Sequence, residues 1–139
     1  MKSFVGSYFL ACLLLTGCAV PANQGVLDTG GESQVRMRQV QTRYFETGDK
    51  KKTLESVIAT LQDLGFVIDK ASYDLGTISA TKLSGYRVRM NVNVTPRGER
   101  MMVRANAEYN AQPMADPTTY QQFFAALSKS MFLQAQLDE

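Results

Sequence analysis

The chain has 139 residues, with 15 Lys or Arg, 13 Asp or Glu and a net charge of +2 at pH 7. It contains no histidine and only two cysteines, Cys12 and Cys18, which removes a His general base, a Ser-His-Asp triad and the commonest metal ligand together. A charge this close to neutral supplies no global basic field of the kind that draws proteins to nucleic acid.

The N-terminus reads Met1-Lys2-Ser3, followed by a mostly apolar run from Phe4 to Leu15. A positive start, an apolar core of about a dozen residues and small residues before a cut site form a secretory signal pattern. The run is shorter than the roughly 20 residues a membrane-spanning helix needs. Leu15-Thr16-Gly17-Cys18 resembles the lipobox of bacterial lipoproteins. That resemblance implies cleavage after Gly17, a diacylglycerol thioether on Cys18 and an acylated N-terminus. The chain would then be held to a membrane by its lipid, each buried CH₂ contributing roughly 0.8 kcal/mol. Ala19, not Asp, follows the cysteine, which by the same resemblance implies the outer membrane, facing the periplasm. With Cys12 in the removed segment 1–17 and Cys18 taken by lipid, no disulfide forms even in an oxidising compartment, and no cofactor is expected.

Residues 18–35 are Gly-, Pro- and polar-rich without periodicity, and predict a flexible tether with a reach of roughly 20–25 Å. Residues 36–139 remain for one folded domain of about 100 residues. Alternation over 37–46 predicts a first strand. Thr47-Gly48-Asp49 predicts a turn, with Asp49 as N-cap of a helix whose apolar stripe is Leu54, Val57, Ile58, Leu61 and Leu64. Gly65 stops that helix and Phe66 folds back on its last turn. Short strands are expected from Phe66 to Asp69-Lys70 and from Thr77 to Lys82, separated by a turn at Asp74-Leu75-Gly76.

From Tyr86 to Asn110 apolar and polar residues alternate through a hairpin. A turn centred on Arg97-Gly98 would pair Tyr86 with Tyr109 and Met90 with Ala105 on the covered side, and Arg87 with Glu108 outside. Asp116-Pro117 opens a last helix as N-cap and first helical residue, carrying Tyr120, Phe123, Phe124, Leu127 and Met131 toward the sheet. The expected fold is α+β: a four- to five-stranded antiparallel sheet in the order β-α-β-β-β-β-α, with two helices packed on one face.

Carboxylates are the residue type left for catalysis, as Glu99 with Glu108 or Asp69 with Asp74. Turn positions and a solvated strand account for them better, and no enzymatic activity is expected. Lys50-Lys51-Lys52 opens the first helix, where the macrodipole disfavours cations; it suits lipid headgroups or an acidic partner, or is a solvated face. Arg87, Arg89, Asn91, Arg104, Asn106 and Glu108 form the outer row of the hairpin. They suit a polar protein interface as well as the wet side of any one-sided sheet. Tyr120, Phe123 and Phe124 are either core or the lining of an apolar ligand cavity between last helix and sheet.

Arg38-Gln39-Val40-Gln41-Thr42-Arg43-Tyr44-Phe45, Leu61-Gln62-Asp63-Leu64-Gly65-Phe66 and Leu75-Gly76-Thr77-Ile78-Ser79-Ala80-Thr81-Lys82 together resemble a group of small proteobacterial lipoproteins. The expected arrangement of one sheet gripping a C-terminal helix is similar, at fold level, to the helix-grip domains of lipoproteins in the outer-membrane β-barrel assembly machinery. Anchor, tether and polar face together predict a non-enzymatic module. It would dock on an envelope protein partner in assembly, secretion or efflux machinery, and would not bind nucleic acid. The alternative is a carrier or sensor of an apolar ligand.

Overall fold

A computed structural model describes the backbone of residues 25–137. Residues 1–24, and with them Leu15, Thr16, Gly17 and Cys18, lie outside the described residues. The fold is α+β. Helices α1 (Gly25–Val40), α2 (Lys50–Asp63) and α3 (Pro117–Leu137) accompany strands β1 (Thr42–Phe45), β2 (Val67–Ser72), β3 (Thr77–Leu83), β4 (Arg87–Arg97), β5 (Arg100–Tyr109) and the two-residue β6 (Gln112–Pro113). All strand pairs are antiparallel, in the order β1-β5-β4-β3-β2, with β6 also on β5. The chain therefore leaves β1 at one edge and returns through α2 to β2 at the other.

One face of this sheet is closed by helices. Ile78 and Ala80 of β3, Val88, Met90, Val92 and Val94 of β4, and Met101, Val103, Ala105 and Ala107 of β5 are all buried. They pack with Leu54, Val57 and Leu61 of α2 and Tyr120, Phe123, Phe124 and Leu127 of α3. Period-2 burial in the strands and period-3.6 burial in the helices meet in one core. Thr53, Ser56 and Thr60 of α2 are buried as well, although no hydropathy stripe marks them. Each hydroxyl donates to the carbonyl four residues back, at 2.7–2.9 Å, so these positions enter the interior with no polar group left over.

Local signals place the ends of α2 as the sequence predicts. The Asp49 carboxylate accepts from the Lys52 N–H at 2.9 Å. At the other end Gly65 has φ +82°, Phe66 N–H donates to Leu61 O and Gly65 N–H to Gln62 O, both at 2.9 Å. That pair of bonds is a Schellman motif, which needs a left-handed residue and so a glycine. Asp116 caps α3, accepting from the Thr118 N–H at 2.9 Å. This bond holds its carboxyl below the ordinary value, so the cap is complete above that value and is lost as pH falls through the lowered one.

The segment before β1 differs from the expectation. The strand predicted over 37–46 is confined to Thr42–Phe45, and the helix α1 runs through Val40, taking in residues 25–35 of the expected tether. Met37 and Val40 are the reason: three residues apart, they share one helical side and rest against the core. The change from helix to strand occurs at Gln41. Its N–H closes the last helical turn on Met37 O, and its own carbonyl accepts from Ala105 N–H, both at 2.9 Å.

The hairpin register also differs. Val88 faces Tyr109, Met90 faces Ala107, and Arg89, not Arg87, faces Glu108. Arg97 pairs with Arg100, which leaves Gly98-Glu99 as the two-residue turn. Gly98 takes φ +64°, the conformation that favours glycine at the first central position of a type II′ turn. The expected turn lay one residue too early, which moves every pair by two. Parity survives, so each side chain keeps its face. Tyr86 and Tyr109 are not covered: they are 49% and 42% exposed, with ring centroids 5.0 Å apart at the end of the sheet.

Candidate functional site

The open face of the sheet is built by the odd positions of β3 and β4 and the even positions of β5. Register aligns them into rows: Thr81–Arg89–Glu108, Ser79–Asn91–Asn106 and Thr77–Asn93–Arg104. The predicted face of Arg87, Arg89, Asn91, Arg104, Asn106 and Glu108 is thus gathered on one side, with every member exposed or half-buried. The structure adds residues to it that no local pattern marks. Lys70 faces Ser79 from β2, and Thr42 and Tyr44 of β1 face Arg104 and Met102. Arg97 and Arg100 stand opposite one another at the hairpin end. Edge pairing is non-local, so the missing signal was strand order, which places β1 beside β5 and β2 beyond β3.

Hydrogen bonds stiffen part of this surface. Ser79 Oγ donates to Asn91 Oδ1 at 2.8 Å, and Thr81 Oγ1 to Asp69 Oδ2 at 2.6 Å. The Arg100 guanidinium lies 5.1 Å from the centroid of the Tyr44 ring and 3.9 Å from the Glu46 carboxylate. The Nε of Arg104 is buried without an acceptor among the described residues.

The three lysines of α2 do not form one patch. Lys50 Nζ donates to Asp74 O at 2.8 Å, and Lys51 approaches Glu55 at 3.9 Å. Lys50 and Lys51 line a shallow groove of about 390 Å³ with Leu54 and Tyr73. Lys52 lines a different one of about 420 Å³, between the β1–α2 loop and the end of α3, with Tyr44, Ser56, Met131 and Phe132. A chain run of lysines on a helix is spread around its axis, which is why adjacency in sequence did not become adjacency in space.

The candidate carboxylate pairs are not brought together. Glu99 and Glu108 flank the length of β5, a separation of about 30 Å at the strand rise, against the 5–9.5 Å of paired glycosidase carboxylates. Asp69 is engaged with Thr81, while Asp74 lies beyond the far end of β2. Among the described residues no group of His, Cys, Asp and Glu is placed to hold a metal ion.

The aromatics of α3 belong to the core. Tyr120, Phe123 and Phe124 are at most 3% exposed. The Tyr120 hydroxyl accepts from Ala107 N–H at 3.1 Å and from Gln41 Nε2 at 3.3 Å, and donates to Met114 O at 3.0 Å. It therefore knots α3 to β5 and to the α1–β1 junction. Beside it, between α3 and the sheet, lies a cleft of about 160 Å³ lined by Leu64, Phe66, Lys82, Met90, Gln122 and Phe123, well below the 300–1,000 Å³ of ordinary ligand pockets. Lys82 Nζ spans its rim, donating to Leu64 O at 2.8 Å and standing 5.8 Å from the Phe66 centroid.

No helix among the described residues is long and apolar enough to cross a membrane. Comparison with protein-family models and with curated protein sequences found no match to the chain.

Proposed function

We propose that this protein is a lipid-anchored, non-enzymatic module of the outer membrane whose periplasmic domain docks on a protein of an envelope assembly, secretion or efflux complex. The observation that carries the docking role is the division of the sheet. One face is sealed by α2 and α3, and the other carries Arg87, Arg89, Asn91, Arg104, Asn106 and Glu108, exposed or half-buried. Arginine and asparagine tolerate partial burial and offer several donors each, the chemistry of a polar protein interface. The anchoring role rests on the apolar run Phe4–Leu15 and on Leu15-Thr16-Gly17-Cys18, where Cys18 would carry the lipid. Helix α1 and the residues before it then serve as the spacer between bilayer and domain.

In-cell cross-linking of the native lipidated protein, followed by mass spectrometry, tests this reading. One dominant envelope partner, lost in Arg89→Glu/Arg104→Glu and in a Cys18→Ser chain that no longer reaches the membrane, is the expected result. No partner, or partners indifferent to both changes, would refute it.

A further inference from the structure

We infer that the open sheet face recognises an acidic, carboxylate-bearing segment of a partner protein, an inference that rests on the docking role proposed above and names its chemistry. Charge is segregated to this face. Lys70, Arg87, Arg89, Arg97, Arg100 and Arg104 stand on it against Asp69 and Glu108, with Glu46 at its rim, although the chain as a whole carries only +2. Two details of this face work against the stability of the fold. Arg97 and Arg100 face each other directly across the hairpin, and like charges in that position repel. The Nε of Arg104 is buried with no acceptor among the described residues, a desolvation cost to the fold.

The kind of anion follows from the residue types. Arginine, which makes up most of the cationic set, presents a planar fork that binds carboxylates in bidentate fashion. Asn91, Asn93 and Asn106 stand between the arginines and supply donors and acceptors suited to peptide groups. The outward positions of β3, β4 and β5 hold no aromatic residue, so there is no platform for stacking bases. The aromatic side chain of neighbouring β1, Tyr44, is paired with Arg100. Leu83 opposite Arg87 and Val67 opposite Thr81 are exposed apolar side chains on this face, a small area beside the continuous apolar face that interfacial binding buries.

The test is fluorescence anisotropy of a labelled decaglutamate peptide titrated with the full protein purified in a non-ionic detergent. Binding should weaken about tenfold or more in Arg89→Glu/Arg104→Glu and fall as salt rises. The milder Arg89→Gln/Arg104→Gln pair should show an intermediate loss, and Lys50→Glu/Lys51→Glu should leave binding unchanged. Failure of the peptide to bind, or binding that the sheet-face changes do not alter, overturns the inference. So does binding of phosphatidylglycerol vesicles or a DNA oligonucleotide through the same arginines where the peptide does not bind. The two proposals fail separately. A cross-linked partner lost on charge reversal, together with no peptide binding, removes the acidic chemistry and leaves the docking role. Peptide binding through these arginines with no cross-linked partner removes the docking role.

Discussion

The two faces of the sheet come from the same strands, residue by residue, yet they answer to different constraints. On the covered face Met90, Val92, Val103 and Ala105 are at most 1% exposed and meet α2 and α3. Volume and shape decide what each position accepts there. On the open face Arg89, Asn91, Arg104 and Asn106 have no such jigsaw around them. Arg97 opposes Arg100, and Arg104 carries an unsatisfied buried nitrogen. A face selected for stability alone would alternate charge across the strands. The contrast teaches that the covered face accounts for folding, and that the residue choices on the open face ask for a reason outside the fold.

Substitutions on the two faces should differ in effect, and the expected sizes fall in a clear order. Phe123→Ala empties a fully buried position between α3 and the sheet. It should cost about 3–5 kcal/mol in urea unfolding. Gly76→Ala should follow, at about 2 kcal/mol or more: Gly76 holds φ +68°, and a Cβ would run into the Val94 carbonyl oxygen. A fall in melting temperature with unchanged far-UV spectrum is the readout. Tyr120→Phe keeps the ring and removes the hydroxyl that serves Ala107 and Met114. The buried Ala107 N–H and the partly buried Met114 carbonyl lose this partner, for about 1–3 kcal/mol, and the Ala107 amide should lose hydrogen-exchange protection.

The smaller effects lie outside the core. Asn110 and Ala111 form the two-residue turn into β6 with φ +46° and +68°, a conformation that penalises alanine. Ala111→Gly should therefore stabilise the protein by about 1 kcal/mol, read as a higher urea midpoint. Arg89→Ala on the open face should move stability by no more than about 0.5 kcal/mol. A loss comparable to Phe123→Ala would mean that the open face is structural, and the contrast would collapse.

What the sequence reveals follows the range of each signal. The Asp49 cap, the Gly65 stop and the Leu54–Leu61 stripe are local and stand where sequence reading places them. Alternation along β4 and β5 assigns each residue to its face, because parity is a local property. Register is set by the turn, and there Gly98 at the first central position outweighed a turn centred one residue earlier. Val40 alternates with polar neighbours as a strand residue would, whereas Met37 and Val40 share a side only in a helix, so the α1–β1 boundary is settled where Gln41 meets Ala105 and Tyr120 across the fold. The same limit applies to the site. Arg89, Asn91, Arg104 and Asn106 are legible as one outer row, whereas Lys70 and Tyr44 join it only through sheet order. The lysine run looked contiguous in sequence and is divided between two grooves in space.

The most direct measurement compares in-cell cross-linking yield for Arg89→Glu/Arg104→Glu and for Ile78→Val, a mild change on the covered face expected to cost about 0.5–1.5 kcal/mol. Both variants should be present at wild-type abundance. Loss of the partner cross-link in the open-face variant, with retention in the covered-face variant, is the predicted result. Retention in both, or loss in both together, would contradict the assignment of binding to the open face and stability to the covered one.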